Sequence, residues 1–198
     1  MIHIYTMNSA LYHLRPFMPA LRIVPFLAAF LLFIDSSAFA AMDSRTLFEQ
    51  GMEAFKTGNY GSAELIFRKI VDSRNDEYLD RAWFFMSRAI YCKGKYDLAL
   101  FEFKNFLNRC KTDALSAESR FWMGECYYNL SDKPNAIEEF RRYIAVAGDG
   151  ELVQNAHDRI GMIYQSQKRY DEAVIEWEAA QTKSSDQTRN YTRQYWIG

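Results

Sequence analysis

The feature that most constrains this chain is a pattern of small and aromatic residues that recurs every 36 or 37 positions. Each unit contains a small residue, an alanine twelve positions later, and an aromatic residue four positions after that alanine. The small residues are Gly51, Ser87, Gly124 and Gly161, the alanines are Ala63, Ala99, Ala136 and Ala173, and the aromatic residues are Phe67, Phe103, Phe140 and Trp177. A fixed period of this size predicts a stacked array of short helices.

Each column of the repeat has a physical reason. A small residue at a helix crossing lets two backbones approach closely, and the aromatic ring fills the space beside the contact at the density of a protein interior. Within a predicted helix the apolar residues follow steps of three and four, as in Met86, Ala89 and Ile90. A glycine in the turn permits a left-handed residue after the first helix. The turn positions are Gly58, Gly94, Ser131 and Lys168.

The pattern resembles the tetratricopeptide repeat family over residues 44–180, and weakly as far as residue 198. Besides the small residues and alanines, the family's usual residues stand here at Trp83, Tyr60, Tyr96 and Tyr170. The departures are Ser87 for Gly, Lys133 for Tyr, Ser131 and Lys168 for the turn Gly, and no proline at the end of any second helix. The resemblance implies an all-α fold: a right-handed superhelix of stacked antiparallel helix pairs, with about four repeats and a partial fifth.

The register divides the chain into repeats at about 44–79, 80–116, 117–153 and 154–190, with a partial fifth at 191–198. The standard repeat has 34 residues, and the longer unit here resembles that of bacterial envelope members of the family. Those members include the Tol–Pal-associated cell division coordinator and the outer-membrane assembly lipoproteins. No cysteine suitable for lipid attachment follows the N-terminal segment, which counts against the lipoproteins.

The N-terminal segment has the composition of an export signal. Arg15 and Arg22 precede a run of twelve uncharged residues at 23–34, and small residues stand at Ala38 and Ala40. This order predicts a signal peptide over residues 1–40, with cleavage before Ala41 and a repeat domain at 41–198. Met18 would give the signal a more usual length if translation began there. The alternative is an uncleaved membrane anchor, although the run is shorter than the roughly 20 residues that a bilayer span needs.

Composition and charge argue against several functions. The chain has 198 residues and a formal net charge of −1, without the clustered Lys and Arg of a nucleic-acid surface. Residues 41–198 contain one histidine, His157, which we interpret as structural. No metal-ligand cluster or glycine-rich phosphate loop is visible. We therefore predict a protein that is not an enzyme and needs no cofactor or metal.

Three cysteines lie in the repeat region, at Cys92, Cys110 and Cys126. An odd count leaves at least one thiol free in an exported protein. The register separates each pair by more than the roughly 7 Å between Cα atoms that a disulfide tolerates. We predict three free, mostly half-buried thiols.

In this family the first helices line an inner groove. The register places Phe48, Phe84 and Phe121 in one row of that surface and Phe55, Tyr91 and Tyr128 in another. Met52 and the remaining candidates lie between the rows. The predicted binding residues are Phe48, Phe55, Phe84, Arg88, Tyr91, Phe121, Glu125, Tyr128 and Met162. Exposed rings there would suit peptide capture; alternatively, the rings fill the gaps between neighbouring first helices. The mixed charge argues against a purely anionic or cationic ligand.

Three functions remain open at this stage. The first is a non-catalytic scaffold of the bacterial envelope or periplasm that binds a segment of another protein in its groove. The second is an assembly subunit that uses the ends of the repeat array, since Tyr191, Tyr195, Trp196 and Ile197 make the C-terminal end apolar. The third is the docking region of a longer protein. A membrane would be met only through an uncleaved N-terminal anchor or a membrane-bound partner, and no nucleic acid is expected.

Overall fold

A computed structural model of the chain describes residues 44–74, 77–109 and 113–182. The predicted signal peptide, Cys110 and the predicted partial fifth repeat lie outside these ranges. The described residues form helices and contain no strand. The helices are α1 (Ser44–Lys56), α2 (Tyr60–Ser73), α3 (Leu79–Cys92), α4 (Tyr96–Arg109), α5 (Asp113–Asn129), α6 (Lys133–Val146), α7 (Glu151–Ser166) and α8 (Tyr170–Thr182).

The helices stack as four consecutive pairs. Each helix packs against the next one along the chain. The pairs are α1 with α2, α3 with α4, α5 with α6, and α7 with α8. The first helices of successive pairs also contact each other, α1 with α3 and α3 with α5. The all-helical, repeated architecture predicted from the sequence is therefore confirmed for the described part of the chain.

The turn inside every pair has the same backbone conformation. Its central residue is left-handed, with φ of 77° at Gly58, 74° at Gly94, 64° at Ser131 and 62° at Lys168. The amide of the following residue returns to the carbonyl five positions earlier, as in Asn59 N to Ala54 O at 2.9 Å. This is the Schellman arrangement, which satisfies carbonyls at the end of the first helix. Two of the four turns thus hold a non-glycine residue in a conformation that favours glycine.

The repeat columns meet in the core. A Cβ atom built on Gly51 would lie 2.5 Å from the Phe67 ring, and one built on Gly124 would lie 2.7 Å from the Phe140 ring. The four column alanines are fully buried. Close approach between the helices of a pair therefore depends on the missing side chain, because the partner ring occupies the space that a Cβ would need.

Helix α5 lies between two clusters of buried side chains. Its Met123 and Cys126 join the cluster formed mainly by α1 to α4. Its Phe121 joins the cluster of α6 to α8. Consequently α5 is the element through which the N-terminal and C-terminal pairs are coupled.

Candidate partner-binding face

We call the surface formed by α1, α3, α5 and α7 the first-helix face. The structure buries one of the two rows of rings predicted to bind there, which favours the alternative that this row fills gaps between helices. Phe48, Phe84 and Phe121 are only 4%, 1% and 4% exposed. Each ring points at its own second helix: Phe48 contacts Phe67 at 5.6 Å between ring centroids, and Phe121 contacts Phe140 at 5.6 Å. These three rings fill the space within and between helix pairs and present almost no surface to a partner.

The second predicted row remains at the surface. Phe55, Tyr91 and Tyr128 are half-buried, one on each of three successive first helices. Phe55 packs edge-on against Tyr60 at 5.3 Å, and Tyr91 packs against Trp122 at 5.3 Å. These rings are therefore held in place by neighbours while part of each stays accessible.

The four residues predicted to lie between the rows differ in exposure. Met162 is 43% exposed, Met52 and Arg88 are half-buried, and Glu125 is only 4% exposed. Glu125 is thus available to a partner only if its internal contacts break, whereas Met162 is an apolar side chain open to solvent.

Glu125 belongs to a polar cluster that joins α3, α5 and α7. Arg159 donates to it from Nε at 2.6 Å and from Nη2 at 3.0 Å. The Tyr91 hydroxyl donates to Glu125 Oε2 at 3.0 Å, and Asn129 Nδ2 donates to the Tyr91 hydroxyl at 3.2 Å. Burial, together with the charge of Glu125, raises the pKa of Tyr91 above its usual value. The cluster is fully used inside the protein, which gives Glu125 a structural role.

Arg88 has a different environment. Its guanidinium carbon lies 4.5 Å from the Trp122 ring centroid, 5.2 Å from Phe55, 5.4 Å from Phe85 and 5.7 Å from Phe84. Arg88 forms no ion pair with any described residue, and its buried Nε has no hydrogen-bond acceptor. Trp122 Nε1 beside it is also buried without an acceptor. Burial lowers the pKa of Arg88, against a weaker opposing effect of Glu118.

A polar contact inside three of the pairs was missed by the sequence reasoning. It joins residues 19 positions apart: Trp83 to Glu102 at 3.0 Å, Arg120 to Glu139 at 3.3 Å, and His157 to Glu176 at 2.7 Å. The signal that would have found it is a glutamate three positions after the column alanine in those repeats. His157 is thereby accounted for as a structural residue.

Two surface depressions accompany these features. One, of about 540 Å³, lies on the first-helix face between α1 and the start of α3, where Arg81 covers the Phe48 ring at 4.5 Å. It is lined by Arg45, Phe48, Glu49, Met52, Glu53, Lys56, Tyr78 and Arg81. The other, of about 440 Å³, lies on α6 and is lined by Pro134, Ile137, Glu138, Arg141, Arg142 and Ala145. Both are open surfaces with charged rims and not enclosed cavities.

The thiols that the structure describes are free, but their burial differs from the prediction. Cys92 is exposed and Cys126 is fully buried, where half-buried side chains were expected. Burial raises the pKa of Cys126, which makes that thiol a poor nucleophile. Among the described residues no three His, Cys, Asp or Glu side chains come together as a metal site. Within that same part of the chain, every helix is too short or too polar to span a bilayer.

Comparison with known proteins agrees with this geometry. Residues 118–147 and 155–182 match family profiles described as tetratricopeptide repeat. These matches fall on the third and fourth helix pairs, α5 with α6 and α7 with α8, which therefore match the tetratricopeptide repeat. A comparison with curated proteins found no match.

Solved structures share the fold. The crystal structure of MamA matches with a TM-score of 0.61 at 20% identity, over 75% of this chain and 83% of MamA. The apo form of RapI matches with a TM-score of 0.67 at 14% identity, over 87% of this chain and 52% of RapI. A tetratricopeptide repeat protein from Parabacteroides merdae matches with a TM-score of 0.61 at 14% identity, over 78% and 58% of the two chains. Identities this low show the fold alone, which is a tetratricopeptide-repeat solenoid.

Proposed function

We propose that this protein is a non-catalytic scaffold of the bacterial cell envelope that holds a segment of another protein against its first-helix face. The observation that carries the proposal is the row of half-buried rings Phe55, Tyr91 and Tyr128 on successive first helices, together with the exposed Met162 on α7. The tetratricopeptide repeats support a protein partner, since the repeated helices build one extended surface from successive first helices.

The chemistry of this row suits a peptide segment. Aromatic rings that are already held by neighbours offer a large contact area and lose little conformational freedom on binding. Tyr91 is fixed by Trp122 and by its hydrogen bond to Glu125. Tyr128 lies under the Arg159 guanidinium at 4.9 Å. The binding set that we now propose is Phe55, Arg88, Tyr91, Trp122, Tyr128 and Met162.

Site-specific photo-crosslinking tests the choice of face. A benzoylphenylalanine placed at Met162 should form an adduct with a partner protein in living cells. The same residue at Ile175 is the matched control, because Ile175 is an even more exposed apolar side chain, at 63%, but belongs to α8. An adduct from position 175 and none from position 162 would contradict the proposed face.

The envelope location is a separate part of the proposal, supported by the basic, apolar and small-residue order of residues 1–40. We expect the protein in the periplasmic or envelope fraction, with a mature N-terminus at Ala41. Intact mass measurement after fractionation gives the answer. A cytosolic protein that retains residues 18–40 would contradict this part without affecting the binding face.

A further inference from the structure

Arg88 is a cation held in position on the first-helix face without a carboxylate partner among the described residues, and the inference drawn from it rests on the proposed function. Rings from three helices surround its guanidinium: Phe55 of α1, Phe84 and Phe85 of α3, and Trp122 of α5, all within 4.5–5.7 Å. Stacking against so many rings restricts the side chain before any ligand arrives. The entropy normally lost when an arginine is immobilised is therefore already lost in the free protein.

The charge of Arg88 is not neutralised within the described part of the chain. Glu118 influences it only at a distance, and Glu125 is occupied by Arg159 and Tyr91. A second donor without an acceptor, Trp122 Nε1, lies beside it. Both of these donors, Arg88 Nε and Trp122 Nε1, are buried, so the part of the half-buried Arg88 that a partner can meet is the Nη end of its guanidinium.

We infer that Arg88 receives the carboxylate of an aspartate or glutamate side chain within the bound segment of the partner protein. A planar guanidinium matches a carboxylate through paired hydrogen bonds, and such charge-assisted bonds are stronger than neutral ones. An internal acidic side chain is favoured over a chain terminus because accessible rings flank Arg88 on both sides, Phe55 on α1 and Trp122 on α5. These rings give a segment apolar contacts both before and after its acidic residue.

The experiment measures how strongly the full-length protein enriches three pools of displayed twelve-residue peptides. In the first pool the central residue is Glu and all other positions exclude Asp and Glu. The second pool is identical except for a central Gln, and in both pools the peptide C-terminus is fused to the carrier. The third pool carries the central Gln but ends in a free carboxylate. We expect the first pool to be enriched about tenfold over the second, as one charge-assisted contact requires.

Variants then assign the preference to Arg88. Arg88→Gln and Arg88→Met should bind the Glu and Gln pools equally. Arg169→Gln is the matched control, since Arg169 also stacks on a ring, Tyr164 at 4.3 Å, but is exposed and already paired with Glu172 at 2.7 Å. That variant should keep the tenfold preference. Circular dichroism shows whether each variant is folded. If a variant does not fold, the comparison of the Glu and Gln pools on the unmodified protein still tests the inference.

The outcomes separate the inference from the proposed function. If the unmodified protein binds both pools equally and Met162→Asp abolishes that binding, the face is right and the carboxylate position is wrong. Enrichment of the third pool alone would overturn the choice of an internal acidic residue. A Glu preference that survives in Arg88→Gln would overturn the role of Arg88. If no pool binds, both the inference and the proposed binding face fail.

Discussion

Arg88 and Arg159 lie on first helices two repeats apart and show opposite chemistry at the two sides of α5. On the N-terminal side, Arg88 is surrounded by aromatic rings and has no carboxylate partner among the described residues. On the C-terminal side, Arg159 pairs through two hydrogen bonds with Glu125, whose side chain is 5% exposed. The Arg159 guanidinium therefore joins neighbouring repeats, whereas the half-buried Arg88 guanidinium has no carboxylate partner among the described residues.

The first-helix face is therefore packed differently on the two sides of α5. Between α1, α3 and α5 the helices approach closely and rings fill the gaps. Between α5 and α7 a long arginine reaches across to a buried glutamate. A closed ion pair contributes to stability mainly through the large cost of breaking it, because removing one member leaves a buried charge uncompensated. Removing an unpaired cation leaves no buried charge uncompensated, so the same penalty does not arise at Arg88.

The largest expected effect comes from pushing α5, the helix that the two sides share, away from α6. Gly124→Leu should lower the free energy of unfolding by about 3 kcal/mol or more through overpacking. The reason is that even a Cβ at this position would lie 2.7 Å from the Phe140 ring. Urea unfolding followed by circular dichroism at 222 nm measures the change.

Gly61→Leu is the matched control, because a Cβ on Gly61 in α2 would meet no atom within 4 Å. That substitution should leave stability within about 0.5 kcal/mol of the parent. Equal losses from the two substitutions would show that the cost comes from replacing glycine with leucine in general and not from the packing of α5 on α6.

Replacing each arginine with methionine tests the central comparison. Arg159→Met should cost about 3 kcal/mol, because Glu125 and the Tyr91 hydroxyl lose the cation that compensates their burial. Arg88→Met keeps the apolar stem and removes an unpaired charge from among rings. Its effect should lie between zero and a gain of about 1 kcal/mol. The same unfolding measurement applies to both variants.

Similar losses from the two arginine variants would show that the two guanidinium groups do not differ in their contribution to stability. They would mean that Arg88 is compensated inside the folded protein as Arg159 is, and the carboxylate position inferred above would lose its basis. If the double variant Arg159→Met/Glu125→Met recovers the stability lost in Arg159→Met, the contrast between the two arginines is strengthened. The double change removes both charges together, so no buried charge is left uncompensated.

The turns offer a smaller contrast between the two halves of the molecule. Ser131→Gly and Lys168→Gly should each stabilise the protein by about 1 kcal/mol, because the left-handed conformation at φ of 64° and 62° strains any residue with a Cβ. Gly58→Ala and Gly94→Ala should destabilise it by a similar amount. Thermal unfolding of the four single variants gives the signs. A loss of stability in Lys168→Gly would indicate a side-chain contribution that outweighs the backbone strain.

Much of the fold was predictable because close packing of helices leaves little choice of residue. Gly124 and Phe140 must be a small and a large residue if α5 and α6 are to touch. Register alone also located the left-handed turns, even where Ser131 or Lys168 replaces glycine. These features depend on contacts within a single helix pair, which the repeat period specifies directly.

The candidate face was harder to predict because it depends on how neighbouring pairs are oriented. Phe48 and Phe55 stand seven positions apart on the same side of α1, yet one is buried and the other half-buried. Arg88 could pair with Glu118 or Glu125 as far as the sequence shows. In the structure Glu125 instead pairs with Arg159, and Glu118 forms no ion pair with Arg88. Contacts between elements 34 or more residues apart, such as Arg159 to Glu125, have no local signal.

The smallest predicted effect concerns an ion pair in the N-terminal half, between Glu64 of α2 and Lys93 just after α3. Burial opposes ionisation of Glu64, but hydrogen bonds from Lys93 at 2.7 Å and Arg68 at 3.2 Å prevail, and the pKa of Glu64 falls below its ordinary value of 4.5. A lowered folded-state pKa gives stability that is present above 4.5 and is lost as pH falls through the folded value.

Relative to Glu64→Gln, the parent should therefore be more stable at pH 7 by no more than about 1 kcal/mol, because both cations are partly exposed. The difference should shrink steadily as unfolding is measured at successively lower pH values below 5, where the carboxylate takes up its proton. A difference that stays constant over that range would show that Glu64 contributes through its packing and not through its charge. Among the described residues of α1 to α4, no ion pair would then act through its charge as the pair between Arg159 and Glu125 does.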